Sequence, residues 1–361
     1  MRRGVIGPAM VAALAALLVL LTVRGPERAH RAPPGTRLRA GRAPMAEGGR
    51  GRTAAGPLQI PLAGWKDILW RSYGQLGQDR VMLVAAGVTF YGLLALFPAL
   101  TALISVYGLF ADAGTVVRHV GMMEGLLPDS AIEILSGQME RIAAQPTGQL
   151  GFGFVMGLGI TLWSANNGMK AIFDAMNVAY NEVEGRSFLR LTAVSLFFTL
   201  CAMALVVVII GVVVLLPVAL RFVGLDGLGE LALRVGRWPV LLLALIGAIC
   251  VIYRFAPDRE RPDWRWVWPG ALVAAVVWVA ASIGFSWYVT SFDSYNETYG
   301  SLGAVIAFMV WMWVSATIVI MGAELNAEME RQTRRDSTTG APLPMGQRGA
   351  QAADTLGQSR S

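Results

Sequence analysis

Few side chains in this sequence are suited to chemistry, and most of those sit inside apolar runs or at their ends. Asn166 and Asn167 follow Trp163 and Ser164 at the end of a glycine-rich apolar stretch. Glu324 and Glu328 are spaced i, i+4 at the close of the last apolar stretch, so they share a helix face. Glu324 lies about 35 Å along a helix from Ser301, which puts it near one edge of a bilayer. Residues 291–300 carry Asp293, Tyr295, Asn296, Glu297 and Tyr299 without a cation. Trp311 and Trp313 lie about 15 Å into the last stretch, too deep for an interfacial belt, and their indole N–H groups need acceptors.

Polar groups in an apolar setting are costly and often mark a path for a substrate or an ion. Asn166 and Asn167 suit hydrogen bonding to a passing polar group. Glu324 with Glu328 suits a proton or a cation, Trp311 a cavity wall, and Tyr295, Asn296 and Tyr299 a cationic or polyhydroxylated ligand. Each has a structural alternative. The asparagines can bond between helices. The glutamates can pair with arginines such as Arg254 or Arg331. The tyrosines can belong to an aromatic belt around a turn, and Trp311 can be core packing.

The remaining chemistry is thinly supplied. Cys201 and Cys250 are too few for a disulfide scaffold or a Cys-rich zinc site, and His30 and His119 too few for a histidine metal centre. No G-x-x-x-x-G-K-[ST], G-x-S-x-G or H-E-x-x-H occurs. The expectation is a non-enzymatic chain with no metal and no cofactor.

The elements that must position these residues follow from composition. Of the 361 residues, 55% are hydrophobic and 15% charged, against about 25% charged in soluble domains. This composition points to a membrane protein. Residues 1–56 hold ten arginines against Glu27 and Glu47, while the remainder is close to neutral. Those arginines are not interleaved with aromatic residues, so nucleic acid is not an expected partner.

A bilayer core of about 30 Å takes about 20 apolar residues. Six stretches reach or approach that length: residues 81–111, 150–167, 188–220, 238–253, 266–289 and 302–325. Counting Lys and Arg, alternate loops carry fifteen on one side and five on the other. The positive-inside bias then gives six spans with both ends of this body cytoplasmic. Gly153 and Gly157 form a small-xxx-small pair suited to close helix approach, and Pro98 should kink the first span. A helix from Leu62, with Trp65, Leu69, Ser72 and Leu76 on one face, suits the membrane surface. The second span continues as an amphipathic helix with Met169, Ile172, Phe173, Met176 and Tyr180 on its apolar stripe and Asn167, Lys170, Asp174 and Asn177 on its polar one. Two short amphipathic helices are expected between the first two spans.

The fold expected is therefore all-α: a polytopic six-helix membrane bundle over residues 62–330 with interfacial helices. Residues 1–23 form an apolar segment, read either as an extra N-terminal helix or as the product of a start site assigned upstream of Met45. Residues 24–61 read as an Arg/Gly/Pro-rich disordered linker and residues 331–361 as a disordered cytoplasmic tail.

Several passages are similar to a known family. AAGVTFYGLLALFPAL (85–100), LWSANNGMKAIFDAMNVAYNEVEGRSFLR (162–190), YRFAPD (253–258) and WRWVWPGALVAAVVW (264–278) resemble the YihY/BrkB family of bacterial inner-membrane proteins. So does YNETYGSLGAVIAFMVWMWVSATIVIMGAELNAEME (295–330). The resemblance implies six transmembrane helices with cytoplasmic ends. The family was long labelled ribonuclease BN, a name now regarded as a misassignment. It has been linked to serum resistance and envelope traits, which implies an envelope role.

Three functions follow as expectations. The first is transport or exchange of an envelope component such as a lipid or another amphiphile. The alternative is a non-catalytic scaffold that recruits cytoplasmic or envelope partners through the inner helix and tail. A ribonuclease is least supported, since phosphodiester hydrolysis by metals needs clustered acids or histidines. The expected partners are the lipid bilayer, a second copy of the chain and an unidentified cytoplasmic or envelope protein.

Overall fold

The computed structural model describes residues 49–108, 152–212, 228–291 and 301–359. These are helical apart from their connections and one isolated antiparallel bridge between Pro262 and Thr338. A 3-10 turn at Pro57–Gln59 leads into α1 (Leu62–Gln78). Then come α2 (Val81–Gly108), α3 (Phe152–Tyr180), α4 (Phe188–Ile210), α5 (Leu228–Phe255), α6 (Trp264–Ser291), α7 (Ser301–Glu330) and a short α8 (Gln351–Asp354). The apolar residues 1–23, the segment 109–151 with its two expected short helices, and Tyr295, Asn296 and Tyr299 lie outside the described residues.

Among the described residues, five helices are long and apolar enough to cross a membrane: Val81–Ala99, Phe188–Ile209, Val235–Phe255, Trp264–Val289 and Val305–Glu330. Their outer faces carry large apolar side chains such as Leu83, Phe97, Val208, Leu243 and Trp287, all exposed. Helix α3 is not among the five; its glycines and the pair Asn166 and Asn167 dilute its apolar half, and Lys170 and Asp174 follow. It is continuous as expected, and Phe173, Met176 and Tyr180 are buried. Asn177, placed on its polar stripe by sequence, is buried as well.

Helix α7 is the centre of the packing. It lies against α1, α2, α3, α6 and α8, while α2 packs on α3, α4 on α3, and α5 on α6. Two close approaches depend on missing side chains. A Cβ on Gly322 of α7 would stand 2.3 Å from Tyr253 Oη and 2.8 Å from Gly270 O. A Cβ on Gly168 of α3 would stand 3.1 Å from Ala95 Cβ of α2. The close approach expected at Gly153 and Gly157 is not at Gly157, which is exposed with nothing within 4 Å of a Cβ there. Helix α2 runs through Pro98.

At one end of the bundle the connections form a folded cap. Ala54, Ile60, Ile68, Trp266, Leu325 and Met329 make one apolar cluster. It brings together the strap before α1, α1 itself, the start of α6 and the end of α7. Residues 49–61 thus depart from the expected disordered linker. Arg52 is buried, and its Nη2 donates to Gly357 O at 2.8 Å.

The tail also departs from expectation, because residues 331–359 are folded onto the body. Asp263 N donates to Ser337 O and Thr339 N to Arg261 O, both at 2.8 Å, and Arg334 N donates to Arg52 O at 2.9 Å. The buried guanidinium of Arg348 donates to Ala353 O at 2.7 Å and Arg334 O at 2.7 Å. Polar composition suggested disorder, but here the polar groups bond to one another and to the body. Helix α1 buries one side and leaves much of its apolar side exposed. Gly64, Asp67 and Ile68 are buried, while Leu62, Leu69, Trp70 and Tyr73 are exposed. That outward apolar face still suits a membrane surface.

Candidate functional site

A polar seam runs between α3 and α4. Thr192, Ser195 and Thr199 recur at i, i+3 and i+7 on α4 and are buried, as is Asn166 of α3. The Ser195 hydroxyl donates to Thr192 O at 3.2 Å. The Thr199 hydroxyl donates to Ser195 O at 2.9 Å and stands 3.2 Å from Asn166 Oδ1. A hydroxyl has one proton, so with that proton on Ser195 the better pairing turns the Asn166 amide over and donates Nδ2 to Thr199 Oγ1. In either orientation one end of the Asn166 amide is unengaged, and Thr192 Oγ1 likewise has no partner among the described residues. Lys170, one turn beyond Asn166 on α3, holds its ammonium 5.0 Å from the Trp163 ring and 5.1 Å from the Phe188 ring. Asn167 is exposed and takes no part.

Glu324 is fully buried on α7. Its carboxyl faces that of Asp79, the residue that ends α1, and the two share a hydrogen bond when one is protonated. No other described group donates to either Glu324 oxygen. Burial pushes the Asp79 carboxyl above its ordinary range, the bond to Glu324 and the charge of Arg331 oppose this, and Glu328 adds to it. The expected pairing of the glutamates with arginines therefore holds for one of them. Glu328 takes the Arg71 guanidinium at 2.5 Å and Arg331 at 2.6 Å, while Glu324 takes none. Arg254 instead donates to Pro262 O.

Trp311 Nε1 lies 3.4 Å from Ser282 Oγ, with its ring against Trp278 and Phe308. Its neighbour Trp313 donates to Met82 O at 2.9 Å. Both indoles find partners within the α2, α6 and α7 packing. Asn166, Glu324 and Trp311 thus engage three different sets of neighbours.

The cap holds most of the remaining charge. Arg259 grips Glu330 through two bonds of 2.6 and 3.0 Å, and Ser337 donates to the same carboxylate at 2.6 Å. The Arg259 guanidinium also covers the Tyr180 ring at 4.9 Å. Asn177 donates to Glu184 and accepts from Asp258 N, tying α3 to the loop after α5. Glu182 accepts from Gln351 N at 2.7 Å. Burial pushes Glu182 up to about 7, with the nearby Arg259 charge opposing. Among the described residues no group of three His, Cys, Asp or Glu side chains is placed to hold a metal.

Asp79, Thr199 and Asn326 were not singled out from the sequence. Asp79 stands outside the apolar runs, and a threonine inside an apolar run gives no signal because its hydroxyl bonds to its own helix. Asn326, fully buried, accepts from Gly270 N and donates to Val267 O at 2.9 Å each. It lies two residues beyond Glu324, just past the last apolar stretch.

The family described as Virulence factor BrkB matches residues 72–344. YfkH of Bacillus subtilis (strain 168), whose name calls it ribonuclease-like, is 33% identical over 259 residues, or 69% of this chain and 90% of that protein. A UPF0761 membrane protein of Ralstonia nicotianae is 27% identical over 70% of this chain and 56% of its own length. Another from Rhodospirillum centenum is 26% identical over 68% of this chain and 53% of its own. The chain spans about half the length of these last two relatives. No solved structure matches.

Proposed function

The chain belongs to the BrkB family of membrane proteins, and within it we propose that this member moves or exchanges an envelope component, a lipid or another amphiphile, across the bacterial inner membrane. The observation that carries this reading is the buried polar seam of Asn166, Thr192, Ser195 and Thr199 between two helices of an otherwise apolar bundle. Buried polar atoms without partners are expensive in an apolar medium. A polar headgroup passing along α3 and α4 would supply those partners, and Lys170 at the next turn suits an anionic one.

In this reading α3 is the sixth span, and the loops that meet in the cap face the cytoplasm together with both ends of the six-helix body. Arginines concentrated at that end support the orientation. The chain acts without catalysis. A scaffold role through the end of α3 and the tail is less well supported, because Arg348 and the tail backbone already point inward. The test is exchange of a labelled lipid between leaflets of proteoliposomes. The reading expects a rate above protein-free vesicles that falls in Asn166→Leu.

A further inference from the structure

Glu324 poses a problem that the seam does not. Its carboxyl is fully buried, no described group donates to its oxygens as carboxylate, and it faces another carboxyl, that of Asp79. Arg331, whose charge acts on the pair, is bonded through Nη1 to Glu328 at 2.6 Å. Arg71 is likewise committed to Glu328. Two facing carboxylates, Glu324 fully buried and Asp79 half-buried, strongly disfavour both being ionised without a counterion. A hard cation would need about six oxygen ligands, and the described residues offer no third acid placed to help. A proton needs only the two carboxyls.

We propose that Asp79 and Glu324 form a proton-binding site that holds one proton between them and fastens the α1–α2 junction to α7. The charged and titratable groups acting on this pair are Glu328 on α7, Arg331 just past its end, and Tyr180 of α3, on which Glu324 acts in turn. With the proton present, one carboxyl donates to the other and the junction is held. When the proton leaves for water, two like charges face each other and the junction is pushed from α7. The junction already bends sharply, with Arg80 at φ 49° just after Asp79. As a drive for lipid movement the site rests on the exchange reading above; as a proton site it stands without it.

The experiment is infrared difference spectroscopy of the purified full chain in lipid nanodiscs, titrated from acid to alkaline pH. The reading is the C=O band of a protonated carboxylic acid. In the wild type such a band should persist at neutral pH and disappear on the alkaline side, shifting in heavy water. It should be lost in Glu324→Gln and lost or displaced in Asp79→Asn. Should Glu324→Gln fail to fold, Asp79→Asn decides alone. The proposal is overturned if no protonated band is present at neutral pH. It is equally overturned if the band is unchanged in the folded variants, since it then belongs to another acid such as Glu182. Lipid exchange is not read here, so failure of the transport reading leaves this test intact.

Discussion

Arg259 and Glu330 meet as a two-point ion pair in which neither side chain is more than 1% exposed. The pair joins the loop after α5 to the end of α7, and Ser337 extends it into the tail. Removing one partner strands a buried charge, which typically costs about 3–5 kcal/mol. Arg259→Ala should therefore lower the unfolding temperature in detergent sharply. The double variant Arg259→Met with Glu330→Leu should recover much of the loss, because no charge is left unpaired. Equal damage in the single and double variants would show that the pair is not the source.

Arg71 reaches four acceptors at once: the Glu328 side chain, Glu328 O, Gln332 Oε1 and Gln358 O. A lysine keeps the charge but not the planar fork. Arg71→Lys should free the last tail residues while leaving the bundle folded. Limited proteolysis should cut within residues 346–359 in the variant before the wild type, and identical cleavage patterns would contradict the clamp.

Glu182 binds the backbone N–H of Gln351, and burial raises it from 4.5 to about 7. The sign follows from the raised folded value. Its contribution is fully present below the unfolded value of about 4.5 and is lost as pH rises through about 7. Tail docking should loosen between those limits, with faster hydrogen exchange at Gln351 at pH 8 than at pH 6 after correction for intrinsic rates. Glu182→Gln keeps the acceptor and removes the titration, so its corrected exchange should be flat across this window. A wild-type profile that is already flat would count against the link.

Gly322 and Gly157 are predicted to differ although both interrupt apolar helices. Gly322→Ala forces a methyl onto Tyr253 Oη and Gly270 O, whereas Gly157→Ala meets open space. Overpacking typically costs about 1–3 kcal/mol. The first substitution should reduce thermal stability and the second should not. Comparable losses would mean that the α6–α7 approach is looser than drawn.

What the sequence revealed and what it hid have physical causes. The helices were legible because the membrane demands long apolar runs, and Asn166 and Glu324 stood out as interruptions in them. The folded cap was not legible because its bonds join distant positions. Arg52 meets Gly357, Arg71 meets Glu328, and the tail's polar composition is the same whether its groups bond to water or to one another. Asp79 was hidden for a related reason: a helix-ending aspartate is ordinary until Glu324 is brought against it. Thr192, Ser195 and Thr199 were hidden because hydroxyls that return to their own helix let an apolar run tolerate them.

The central claim is that the seam between α3 and α4 serves a moving amphiphile. It is tested most directly by leaflet exchange of a labelled anionic lipid in proteoliposomes, comparing the wild type with Asn166→Leu, Thr199→Val and Lys170→Gln. The account predicts exchange well above empty vesicles and a fall of about tenfold, near 1.4 kcal/mol of barrier, when the Asn166 amide is removed. Exchange no faster than in empty vesicles, or a rate untouched by all three substitutions in folded protein, would contradict it.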